Sequence, residues 1–140
     1  MDESAGFVLD EEVTLRGSDP SSPDVHRAGC PSRAVLEHVT SRWGVLVLVS
    51  LRERSYRFSE LRRRVGGVSE KMLAQTLQTL QRDGFVHRDA HPVIPPRVDY
   101  SLTPMGREVA DQVWTLTRWV EGRLDDVFAA RAAYDADRAA

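Results

Sequence analysis

The hydrophobic pattern changes period along the chain, and each change marks an element. Over 68–85 the apolar residues Leu73, Leu77 and Leu80 recur at i, i+4 and i+7, one face of an amphipathic helix, with Gly84 where a C-terminal cap would stand. The opposite face carries Lys71, Gln75, Gln78 and Arg82, with Ser69 ahead of the first turn and Thr76 and Thr79 on the flank. Upstream, Pro31 and Ser32 open a predicted helix over 31–40 with Val35, Leu36 and Val39 on one face. The run 43–52 is apolar nearly throughout. Its valines favour a strand by propensity, yet its length and flanking Arg42 and Arg52 predict a short buried helix.

A short connection over 54–58, which could hold a single bridging strand, leads to a brief helix over 60–65 with Ser59 as its N-cap, ended by Gly66 and Gly67. A short helix, a Gly-containing turn and a Ser-capped amphipathic helix together predict a helix-turn-helix. After Gly84 the period becomes two: 85–89 and 98–102 alternate around His91 and the prolines Pro92, Pro95 and Pro96, predicting a hairpin with a stiffened loop. Thr103 and Pro104 open a last long helix. Its stripe of Val109, Val113, Leu116, Val120, Leu124 and Val127, flanked by Trp114 and Trp119, extends about 36 Å, more than a small domain covers. Part of it is therefore expected to meet a second subunit; the other reading packs the helix on its own core alone and leaves the two Trp partly exposed.

The expected fold class is mainly α with a small antiparallel β-hairpin. The expected divisions are an acidic, mostly disordered tail at 1–29, in which only Phe7, Val8 and Leu9 could dock, one domain at 30–128 and an Ala/Arg/Asp tail at 129–140 that either extends the last helix or frays. The absence of an apolar run of membrane length and of a signal core predicts a cytoplasmic protein without a membrane partner.

The formal net charge of −2 disguises an uneven distribution. Residues 30–105 carry twelve cations against seven anions, while both flanking segments are net acidic. A basic centre between acidic ends suits a module that binds a polyanion. Lys, Arg and Gln on the exposed face of 68–85 can reach base edges and phosphates, although a solvated helix face accounts for the same residues. The triple Arg62–Arg64 is likewise either a solvated face or part of that surface. The Pro-stiffened loop, with His87, Arg88, His91 and Arg97 around it, suits a finger laid on a nucleic-acid backbone or is a plain protected hairpin. Catalytic chemistry finds no support: His26, His38, His87 and His91 lack metal-ligand spacing, and neither a phosphate-binding Gly loop nor a nucleophile elbow is present. No enzyme, cofactor or metal is expected. Cys30 stands alone and cannot form an intramolecular disulfide.

Several motifs in order resemble the HxlR family of bacterial winged helix-turn-helix transcriptional regulators. They are Cys30-Pro31, Arg42-Trp43, the run from Phe58 to Arg63, the run from Gly67 to Leu80, Asp83 to Val86, Pro95 to Thr103, and Gly106. The resemblance covers about residues 30–120 and implies a DNA-binding homodimer on a palindromic promoter site, held by the first and last helices, with two recognition helices in successive major grooves. Together with the reading of the residues, it puts Arg42, Ser59, Ser69, Lys71, Gln75, Thr76, Thr79, Arg88 and Arg97 at the DNA. Val35, Leu36, Val113, Trp114, Leu116, Trp119, Val120 and Leu124 fall at the dimer interface. It also implies that Cys30 could sense oxidants or electrophiles, which needs an exposed thiol with its pKa lowered by Arg27, Arg33 or the first helix's positive end, with an inert interface residue as the other reading. Two positions depart from the family: Glu70, where proline is frequent and which would need a partner such as Arg63 or Lys71, and Gly44, which weakens the start of the second helix. The competing function is a winged-helix module that docks protein through its Trp-bearing helix, with no sequence-specific DNA binding and little sensitivity to salt.

Overall fold

The computed structural model describes residues 22–140, and the boundary between its two compact units falls between Ser41 and Arg42. The expectation of a disordered tail lies outside the described residues as far as Ser21, as does the docking of Phe7, Val8 and Leu9. Residues 22–29 form turns in which the Arg27 amide donates to the Asp24 carbonyl and the Arg27 guanidinium to the Ser22 carbonyl. They lead into α1 (Pro31–Thr40), with proline in its first turn and Cys30 as N-cap. No single helix among the described residues is long and apolar enough to cross a membrane.

The second unit opens with α2 (Arg42–Glu53), a helix in spite of its valines. Of its buried positions, Gly44, Val47, Leu48 and Leu51 recur at i, i+3, i+4 and i+7, so one helical stripe faces the core and overrides the β preference of isolated valines. Buried Ser50 donates to the Leu46 carbonyl at 2.7 Å and leaves no unpaired hydroxyl. Gly44 is buried within the helix rather than preventing its start.

The bridging strand β1 (Tyr56–Arg57) leads directly into α3 (Phe58–Arg64). Ser59, the expected N-cap, lies inside this helix. Its place is taken by Arg57, whose amide donates to the Glu60 carboxylate at 2.9 Å while Arg57 itself pairs across the sheet with Asp99. Then come α4 (Glu70–Arg82), β2 (Val86–His91) and β3 (Arg97–Leu102). The antiparallel sheet has the order β1-β3-β2, with Val86 opposite Leu102 and His91 opposite Arg97. Val47, Leu48 and Leu51 of α2, Leu61 of α3 and Leu73, Leu77 and Leu80 of α4 are fully buried and make the centre of this unit.

Thr103 caps α5 (Pro104–Gly122) by accepting from the Gly106 amide at 2.9 Å. The last helix was expected to run unbroken past Val127, but it stops at Gly122, and α6 (Leu124–Ala139) begins beyond Arg123. Glycine is a poor interior helix residue, and Asp125 and Asp126 favour the positive end of a new helix, where Arg123 pairs with Asp126 at 2.8 Å. The C-terminal segment thus continues as helix.

One junction ties α4, β2 and α5 together. Gly84, at φ 86°, ends α4 in the left-handed conformation, and the Phe85 amide returns to the Leu80 carbonyl at 2.9 Å. The Thr103 amide donates to the Phe85 carbonyl at 3.1 Å, and its hydroxyl to the Gly84 carbonyl at 2.6 Å. Gly106 lies so close that an added Cβ would fall 1.8 Å from the Phe85 carbonyl oxygen. Because the obstacle is backbone, Gly106→Ala is expected to cost about 3 kcal/mol, the upper end of overpacking. Gly66→Ala, which meets nothing within 4 Å, serves as control. Urea denaturation of the two variants checks this.

Candidate nucleic-acid interface

The α3–turn–α4 segment presents the polar face that the periodicity anticipates. Gly67 takes φ 87° in the turn, a conformation that suits glycine, and the Ser69 hydroxyl caps α4 by accepting from the Met72 amide at 3.1 Å. With Leu73, Leu77 and Leu80 turned inward, Lys71, Gln75, Gln78 and Arg82 are exposed. Thr76 and Thr79 are half-buried on the flank, and Thr76 spends its hydroxyl proton on the Met72 carbonyl at 2.8 Å. That leaves its methyl group and oxygen lone pairs for an external partner.

Beside the head of α4 lies an open cleft of about 620 Å³ whose lining includes Ser59, Arg62, Arg63, Ser69 and Glu70. Ser59, displaced from its expected capping role, is exposed there. Glu70 pairs with Arg62, at 3.7 Å, and not with the expected Arg63 or Lys71. The reason is positional: Arg62 also donates from Nε to the Val68 carbonyl at 3.4 Å, which holds its guanidinium over the turn.

The triple arginine divides by role. Arg62 and Arg63 line the cleft, whereas Arg64 grips Glu53 at the end of α2, with Nε 2.9 Å from Oε1. Glu53 also accepts from the Tyr56 hydroxyl at 2.6 Å. These bonds, the Arg64 bond first, hold the Glu53 carboxyl down at about 2, and Glu53 in turn raises the Arg64 pKa. Arg64 is thus a structural cation that joins α3 to α2. Local charge density could not single it out.

In the wing, Arg97 is pinned. Its guanidinium donates to the Asp99 carboxylate at 3.1 and 3.2 Å, and Asp99 is also 2.9 Å from His91 Nε2. The Arg97 bond is the first cause of a lowered Asp99 pKa. Arg88 is exposed on β2 opposite Tyr100, and Val93 and fully exposed Ile94 project from the loop between the strands. Arg42 is exposed at the start of α2, its guanidinium 5.3 Å from the Trp43 ring centre.

The family model for the HxlR-like helix-turn-helix matches residues 38–127. The chain belongs to the HxlR family. It is therefore a DNA-binding transcriptional regulator of the helix-turn-helix type. Among relatives, it is 63% identical over 102 residues to the HTH-type transcriptional regulator YtfH of Escherichia coli (strain K12), covering 73% of this chain and 81% of that one. The solved ytfH protein of Salmonella typhimurium superposes with a TM-score of 0.76 at 57% identity, over 79% of this chain and 99% of its own. HypR, a redox regulator solved in its reduced form, reaches a TM-score of 0.65 at 30% identity, over 71% of this chain and 98% of its own. An α+β winged helix is the shared fold.

The apolar residues expected at a dimer interface divide in this HxlR protein. Val113 is 5% exposed and belongs to the chain's own core, because α5 packs on α2 along that line. Trp114 is half-buried, with Arg52 and Arg118 guanidinium groups 5.1 and 5.5 Å from its ring. Leu116, Trp119 and Val120 of α5 and Leu124 of α6 are exposed, as is Phe128 of α6, which the periodicity did not single out. On α1, Val35 is half-buried and Leu36 exposed.

Cys30 is buried at the start of α1, so the exposure expected of a sensor thiol is not met, because the turn over 22–29 folds against its sulfur. Its sulfur accepts from the Asp24 amide at 3.2 Å and lies 3.0 Å from the Ser32 hydroxyl. These contacts, the Asp24 amide first, lower the thiol pKa to about 7. Arg27 contributes only a 3.8 Å contact, and the Arg33 guanidinium points away, to the His26 carbonyl at 3.5 Å. Ultraviolet absorbance of the thiolate should therefore titrate with a midpoint of about 7, against the ordinary 9.0, and Ser32→Ala should move the midpoint upward.

Proposed function

We propose that this HxlR regulator binds a palindromic promoter site as a homodimer and reads its sequence with α4. The observation that supports this most is the exposed row Lys71, Gln75, Gln78 and Arg82 on a helix whose opposite face is buried and whose first turn is capped by Ser69. A helix of this kind enters the major groove by its N-terminal half, so Lys71 and Gln75 contact base edges, with Thr76 and Thr79 on the flank. Arg42, Ser59, Arg88 and Arg97 contact phosphate and supply the affinity that is sensitive to salt. Asp99 sets the Arg97 guanidinium in place before the DNA arrives. Gln75→Ala should change base preference by about 1–3 kcal/mol at one position per half-site, and Arg97→Ala should weaken all sequences alike. Selection from a randomised duplex library distinguishes them, and an unchanged Gln75→Ala profile would remove the groove assignment.

Dimerisation covers the apolar surface of α5 and α6. Leu116 and Trp119, 54% and 60% exposed, carry most of it, with Val120 on α5 and Leu124 on α6; in the first unit, Val35 and Leu36 of α1 are proposed separately as interface residues. A dimer sets two recognition helices at a fixed spacing, and the second half-site then binds at high effective concentration. Replacing Leu116 and Trp119 together by Asp should yield a monomer in sedimentation and weaken binding to the full site by roughly tenfold or more.

A response to oxidants through Cys30 is a secondary reading, favoured by the thiol pKa of about 7 and by the likeness to the redox regulator HypR. The lone thiol would end as a sulfenic acid, a mixed disulfide or a disulfide between subunits. The thiolate titration is its first test, since a midpoint near the ordinary 9.0 removes the reading.

A further inference from the structure

Glu70 is the sole carboxylate on α4, and it stands at the head of the helix assigned to the groove. Its side chain is 74% exposed, and its partner Arg62 is 47% exposed at 3.7 Å. An ion pair this long and this wet contributes little and exchanges readily for a better partner. Arg62 has a second tether, the Val68 carbonyl, so its guanidinium stays over the turn whether or not Glu70 holds it. In the cleft beside α4, Glu70 is the one acid against two cations, Arg62 and Arg63. A backbone phosphate entering the cleft outcompetes Glu70 for Arg62, because the Glu70 contact is 3.7 Å long and solvated whereas a docked phosphate can accept two guanidinium N–H bonds at full strength.

The carboxylate released in this way has few options. It is an acceptor only and is repelled by phosphate, so in the major groove its favourable partner is the amino group of cytosine. We infer that Glu70 is a specificity-determining residue that accepts a hydrogen bond from cytosine N4 in each half-site, while Arg62 passes from Glu70 to a phosphate. This assignment rests on the reading of the chain as a sequence-specific DNA regulator. Glu70 acts chiefly by penalty: a site without cytosine at that position leaves an unpaired anion in the field of the phosphates, and affinity for wrong sequences falls.

The test compares the full chain with Glu70→Gln and Glu70→Ala, each alone and in an Arg62→Ala background, by selection from a randomised duplex library and by salt titration. The wild-type protein should select cytosine at one position per half-site. Both Glu70 substitutions should reduce that preference about fivefold or more and raise affinity for random-sequence duplex, with or without Arg62. An unchanged selection profile in both Glu70 variants overturns the assignment, provided that wild type binds with a steep salt dependence. A change seen only when Arg62 is present also overturns it, since Glu70 would then act through Arg62 and not on a base. Wild-type protein that selects no sequence and binds without salt dependence removes the DNA-regulator reading itself and the Glu70 assignment with it.

Discussion

The close backbone approach between Gly106 and the Phe85 carbonyl is the constraint from which the arrangement of the second unit follows. Gly84 turns the chain out of α4, Phe85 starts the wing, and Thr103 bonds to the carbonyls of both before capping α5. Four residues thus set the exit of α4, the root of the hairpin and the entry of α5. A side chain at Gly106 would push α5 away from this point and loosen all three elements together. On the proposed reading the rigidity matters, because a helix that reads base edges must be held in place by residues that touch no DNA.

The arginines, which look interchangeable in the basic centre, do three kinds of work. Arg64 is tied within the fold to Glu53, which also accepts from the Tyr56 hydroxyl. Arg97 is oriented by Asp99 but remains about half exposed. Arg62 holds a weak pair with Glu70 at the mouth of the cleft. On the proposed reading, acids placed among the basic residues do not cancel DNA binding. They orient or shield cations until phosphate replaces them, and this exchange is favourable only where geometry brings the phosphate close. The net charge of −2 for the chain is therefore compatible with a basic reading surface.

The far end of the second unit is governed by apolar surface rather than charge. α5 buries Val113 against its own unit and exposes Leu116 and Trp119 less than two turns later. The break at Gly122 then redirects the chain, so α6 contributes Phe128 to the exposed surface as a separate helix with its own acidic first turn. In the first unit, Cys30 owes its lowered pKa to a backbone amide and a serine hydroxyl, contacts that depend on the turn before α1.

Periodicity alone determined most of the architecture: the amphipathic stripe of Leu73, Leu77 and Leu80, the caps Ser69 and Thr103, the alternation of the hairpin and the glycines that end helices are all local signals. The ordered motifs from Cys30-Pro31 to Gly106 carried the family. Partner choice required the tertiary structure. Ser59 is a sound capping residue in isolation, yet with Tyr56–Arg57 paired as a strand the helix starts ahead of it, capped by Arg57. Val113 fits an exposed stripe and is buried, because sequence spacing defines a helix face but not what covers it. Glu70 could have paired with any of several nearby cations. The Val68 carbonyl favoured Arg62 by holding its guanidinium over the turn, a contact between residues six apart that no helical or strand period encodes.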